Sequence, residues 1–72
     1  MWGKQDRVIN FYLKERFLVS LTDGSAIEGL VIDVDEKTLN LSDCFRVTTQ
    51  TRISVDGTVL IPRTNILYMQ KP

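Results

Sequence analysis

The sequence predicts a mainly β protein: a short N-terminal helix followed by a strongly bent, five-stranded antiparallel open barrel of the SH3-like or OB-like kind. Three observations predict it. Apolar spacing is helical up to Lys14 and switches to alternation from Phe17 onward. Turn signals then recur at short intervals, at Asp23-Gly24, Asp33 to Lys37, Thr48 to Gln50 and Asp56-Gly57. Finally, the chain has 72 residues with no Pro/Gly-rich linker, low-complexity run or internal repeat, so it reads as one domain over 1–72.

In the helix, expected over about 5–14, Val8, Ile9, Tyr12 and Leu13 share one stripe, with Lys4, Asp6, Arg7, Asn10 and Lys14 mostly off it. So short a helix does not persist alone in water and must lay that stripe on the rest of the fold. Barrel strands are expected over about 16–70. The first points Phe17, Val19 and Leu21 one way and Leu18, Ser20 and Thr22 the other. The second, from about Ala26 to Val34, has Ile27 and Val31 on one face and Leu30, Ile32 and Val34 on the other, the pattern of a strand buried on both sides. In the third, Thr38 to Phe45, Leu39 and Leu41 point inward while Thr38, Asn40 and Ser42 point outward. Arg46 to Val55 alternates and is rich in β-branched residues, interrupted by its polar middle. Gly57 marks either a hairpin turn or a bend within one curling strand. Thr58 to Ile61 continues extended, Pro62 interrupts, and Asn65 to Gln70 forms the last strand.

Composition narrows the function classes. Nine basic and nine acidic side chains give a net charge of zero, which argues against a uniformly basic nucleic-acid coat. There is no histidine, and Cys44 is the one cysteine, so neither an intrachain disulfide nor a Cys/His zinc site is available. Cys44 lacks a base to activate it and reads as a buried strand residue. Asp33, Asp35, Glu36 and Asp43 offer oxygen donors but lack the loop grammar of a calcium site. No metal, cofactor or catalytic constellation is expected, so the chain is read as a non-enzyme. Without a membrane-length apolar run or a signal-like start, a cytoplasmic protein is expected. A chain this small buries only roughly 60% of its unfolded surface, so partner subunits are expected to supply stability. Ile66-Leu67-Tyr68-Met69 would form an apolar edge without the charges that normally blunt one.

From Phe17 to Leu41 the residues Val19-Ser20-Leu21, Gly24, Gly29, Leu30-Val31, Asp35 and Asn40-Leu41 resemble the first motif of the Sm/LSm family, whose bacterial relative is Hfq. Val59-Leu60-Ile61-Pro62-Arg63-Thr64-Asn65-Ile66-Leu67-Tyr68-Met69 resembles the shorter second motif. Gly57 falls where that family bends its fourth strand, and Gly24 and Gly29 fall on its turn and its tightly curled strand. Two departures stand out: the Asn follows Asp35 by five places instead of the usual four, and the usual Arg-Gly is replaced by Pro62-Arg63.

The resemblance implies an Sm-like homo-oligomeric ring protein in which the fourth strand of one subunit pairs with the fifth of the next. Val59, Leu60 and Ile61 would then meet Ile66, Leu67, Tyr68 and Met69. It also implies single-stranded, U- or A-rich RNA as the partner, held where the two motif turns line the pore. Candidate contacts are Asn40, whose amide both donates and accepts, Arg63, suited to stacking and phosphate, and Lys37, which offers charge. Asp35 is read as a brace of its own turn. The alternative is a structural or protein-interaction ring that has the fold but little RNA binding.

Overall fold

A computed structural model describes residues 14–72. The helix expected over 5–14 lies outside the described residues apart from Lys14, as do Trp2, Phe11 and Tyr12. Six strands follow, β1 (Arg16–Leu21), β2 (Ala26–Val34), β3 (Thr38–Val47), β4 (Arg52–Val55), β5 (Val59–Pro62) and β6 (Ile66–Gln70), with a 3-10 turn at Arg63–Asn65 between the last two. All pairings are antiparallel, in the order β4-β3-β2-β1-β6, with β5 also on β3.

The β1–β2 turn forms where Asp23-Gly24 predicts it. Gly24 has φ +90°, and the Asp23 carboxylate accepts the N–H and hydroxyl of Ser25. The polar middle of the next alternating run is also a turn. Thr48 Oγ1 accepts the N–H groups of Gln50 and Thr51, while Thr48 N donates to Thr51 O, closing β3 onto β4.

β4 and β5 are two halves of one bent strand, because both pair with β3: Cys44↔Val55 on one side of the bend and Leu41↔Val59 on the other. Gly57, at φ +79°, sits at the bend. β3 bends at the same level through a bulge between Ser42 and Phe45, where Asp43 takes φ 50°. β2 crosses this level at Gly29, where a Cβ would lie 2.7 Å from Cys44 Sγ and 3.1 Å from Leu41 Cβ. Three neighbouring strands therefore turn together, and the sheet curls into a half-closed barrel.

The core is Phe17, Val19, Val31, Leu39, Leu41, Cys44 and Ile61. The strict alternation expected of β2 does not survive. A bulge between Val31 and Asp33 shifts the register, so Val34 joins Val31 against the core. Ile32 is left 41% exposed, so β2 is not buried on both faces among the described residues.

β5 pairs with β3 alone and β6 with β1 alone among the described residues, leaving an open edge at each side of the barrel. The seven apolar residues named for these edges divide in two. Ile61 belongs to the core, and Val59, Ile66 and Met69 pack against it. Leu60, Leu67 and Tyr68 are 61%, 63% and 52% exposed. Leu60, Leu67 and Tyr68 are thus the members of this set whose side chains lie in solvent, while the other four face the core.

Candidate nucleic-acid interface

The β2–β3 turn is built by Asp35. Its Oδ1 accepts the N–H groups of Lys37 at 2.8 Å and Thr38 at 2.7 Å, and its Oδ2 accepts the Thr38 hydroxyl at 2.9 Å. The backbone closes the same turn, with Asp35 N donating to Thr38 O at 3.0 Å. These bonds favour the ionised carboxylate, and the Lys37 N–H first, then those of Thr38, hold its pKa below the usual 3.8. Leu39, four places after Asp35, points into the core, and Asn40 falls on the opposite face.

Arg63 ties this turn to the β5–β6 connection. Its backbone N–H donates to Lys37 O at 2.8 Å and its Nη1 to Asp35 O at 2.5 Å. The residue is 3% exposed, and burial pulls its pKa below the ordinary arginine value. An arginine reaching into solvent to stack on a base is therefore not the arrangement here. Pro62 starts this geometry, since its fixed φ of −57° and ψ of 130° aim the chain back under the turn.

The three candidate contacts thus occupy different environments. Lys37 is exposed at the head of the turn, in a shallow hollow with Asp35, Glu36 and Thr38. Asn40 is half-buried, opposite Leu60 on β5 and Asp33 on β2. Its Oδ1 is shut off from water and meets no donor among the described residues. Arg63 lies beneath. Asp33, Asp35 and Glu36 are all exposed, so carboxylates outnumber the one exposed cation of the turn. No group of three or more potential metal ligands gathers among the described residues. Cys44 is buried, which pushes its thiol pKa above 9.0 and keeps it unreactive.

Sequence reasoning missed a second cluster, on the sheet formed by β1 to β4. Glu28 accepts Arg16 Nε at 3.1 Å on one oxygen and Arg52 Nη2 at 2.8 Å on the other. Arg16 also donates to the carboxylate and carbonyl of Asp43. Both guanidiniums sit over Phe45, Arg52 at 4.2 Å and Arg16 at 5.8 Å from the ring centroid. No local signal reveals it, because these residues meet only through the register that sets Glu28 opposite Phe45.

No family model matches the chain, and no curated protein matches it. Solved structures do. The P. aerophilum SmAP1 heptamer is similar at a TM-score of 0.85 and 19% identity, over 100% of this chain and 97% of that one. The Pyrococcus abyssii Sm protein in complex with a uridine heptamer is similar at a TM-score of 0.81 and 24% identity, over 92% and 94%. A chain of the NatC complex bound to CoA is similar at a TM-score of 0.78 and 20% identity, over 89% and 83%. With the bent β4–β5 strand, the curl at Gly29 and the two open edges, the chain has an Sm-like fold.

Proposed function

We propose that this chain is a subunit of a closed, homo-oligomeric Sm-like ring that binds single-stranded, U- or A-rich RNA and acts in RNA metabolism. The observation that carries the reading is the pair of open edges. β5 and β6 each lack a second partner among the described residues, and they present Leu60 on one side and Leu67 and Tyr68 on the other. Pairing Val59–Ile61 of one copy with Ile66–Met69 of the next satisfies both edges. The contact is head-to-tail and is exhausted only when rotation closes a ring. A ring also multiplies one weak site per subunit. Lys37 would offer charge, and Asn40 would read a base with its amide once that half-buried side chain turns outward, with Arg63 beneath the same turn. Similarity to a heptamer and to an Sm protein holding a uridine heptamer supports the reading.

Light scattering and a gel-shift assay test its two halves. Wild type is expected to run as a closed oligomer, and Leu60→Asp and Tyr68→Asp to dissociate it. A stable wild-type monomer refutes the ring. The ring is expected to retard oligo-U or oligo-A at low salt, and Lys37→Ala to weaken that binding. No retardation by the intact ring refutes the RNA half.

A second reading, a protein-interaction ring, is favoured by one observation: Asp33, Asp35 and Glu36 surround Lys37 in the exposed turn. Similarity to a chain of the NatC complex supports it. An intact ring that ignores oligonucleotides at every salt concentration is its signature.

A further inference from the structure

We propose that Arg63 is a positioning residue: it locks the Asp35–Thr38 turn onto the 63–65 connection, thereby setting the placement of Lys37 and Asn40, and does not itself touch the ligand. This rests on the RNA reading above for what the turn does, but not for how the turn is held.

Asp35 N bonds Thr38 O, and the N–H groups of Lys37 and Thr38 both end on Asp35 Oδ1. Glu36 lies exposed at the tip, and of the remaining groups the carbonyls of Asp35 and Lys37 both accept from Arg63, one from Nη1 and one from its own N–H. Thr38 then enters β3 directly opposite Pro62, the residue before Arg63. Asn40 follows two places later, opposite Leu60. The turn is therefore fastened from inside by Asp35 and from below by Arg63. A guanidinium at 3% exposure cannot offer its planar face to a base without leaving this position, which would strip Asp35 O of its donor. Lysine, a point charge on a flexible stem, does not hold a donor on Asp35 O in the fixed geometry of a planar guanidinium.

The test uses Arg63→Met, which keeps the apolar stem and removes the donors of the head group, with Arg63→Lys as the second variant should Met prevent folding. Amide hydrogen exchange is read first, without RNA. The Lys37 and Thr38 amides are expected to exchange about tenfold faster or more, while those of Val19 and Leu41 hold their wild-type rates. Affinity for oligo-U is then read across a salt series. It is expected to fall about tenfold, as befits loss of a hydrogen bond from a charged group. The slope of log K against log salt is expected to stay at the wild-type value. A residue that meets phosphate would instead flatten the slope by about 0.7 for each subunit in contact. Unchanged exchange at Lys37 and Thr38, or a flattened slope, overturns the proposal. If wild type binds no oligonucleotide, the RNA reading falls alone and the exchange rates decide whether Arg63 holds the turn.

Discussion

Gly29→Ala is the sharpest test of how this barrel curls. The added Cβ would stand 2.7 Å from Cys44 Sγ, 3.1 Å from Leu41 Cβ and 3.3 Å from Ser42 O, whereas ordinary contact is 3.4–4 Å. The sulfur would have to retreat by about an ångström, yet it lies in a core packed by Leu39, Leu41 and Ile61. Overpacking of this kind costs about 1–3 kcal/mol. For a domain this small, that is a fall in Tm of about 4–24 °C. Urea unfolding at one fixed protein concentration measures it, since assembly would add its own stability. Cys44→Ala removes the worst contact and leaves the other two. The double variant should therefore be more stable than the sum of the single changes, by about 1 kcal/mol. Gly29→Ala within about 0.5 kcal/mol of wild type, or no coupling to Cys44, would refute the close approach of β2 and β3 as the reason for this glycine.

Two further outcomes follow from the turns. Gly57→Ala should cost about 1 kcal/mol, since the site has open space around a Cβ and only its φ of +79° opposes a side chain. Gly57→Asn, better suited to a left-handed backbone, should cost less in the same unfolding assay. Asp35 should give stability an acid limb. Hydrogen bonds hold its folded pKa below 3.8, so its contribution is complete above that value and is lost as pH falls through the lower, folded one. Asp23, held down by Ser25, acts in the same direction. Urea midpoints from about pH 5 to about pH 2 should show a shallower decline for Asp35→Asn than for wild type, and identical declines would count against the turn's bonding.

What was legible in the sequence is what local chemistry decides. Asp23-Gly24 and Gly57 stand where the backbone needs positive φ, and the alternation of Val19, Leu39 and Leu41 marks residues that are indeed core. Past Asp35, Leu39 points into the core and Asn40 away from it, the alternation read for this strand. What escaped is decided by the neighbouring strand. The bulge that brings Val34 inward and exposes Ile32 has no residue signature of its own, because it is a mismatch between two strands. Asp43 adopts φ 50° inside what reads as uninterrupted strand for the same reason. Arg63 reads as a candidate for stacking on a base and meeting phosphate, yet it is buried. Its burial depends on carbonyls 28 and 26 places earlier, at Asp35 and Lys37, being brought beneath it by the β3–β5 pairing.

The zero net charge acquires a structure-level meaning once each cation is traced. Among the described residues, Arg16 and Arg52 share Glu28, with Asp43 closing the pair, and Lys71 meets Glu15. Arg63 is buried under the turn. Lys14, Lys37 and Arg46 remain exposed, and Lys37 alone belongs to the turn, beside Asp33, Asp35 and Glu36. The described residues of one subunit therefore offer little with which to attract a phosphate backbone, whose pull ordinarily dominates affinity. On the proposed reading, binding has to come from base contacts repeated around the ring, each weak and made effective by its neighbours. That couples the two halves of the function. Breaking the ring at Tyr68, which lies opposite Ser20 on β1, should then abolish RNA binding more completely than removing Lys37 from every subunit of an intact ring. The opposite order would place the affinity in phosphate attraction at Lys37 rather than in the assembly.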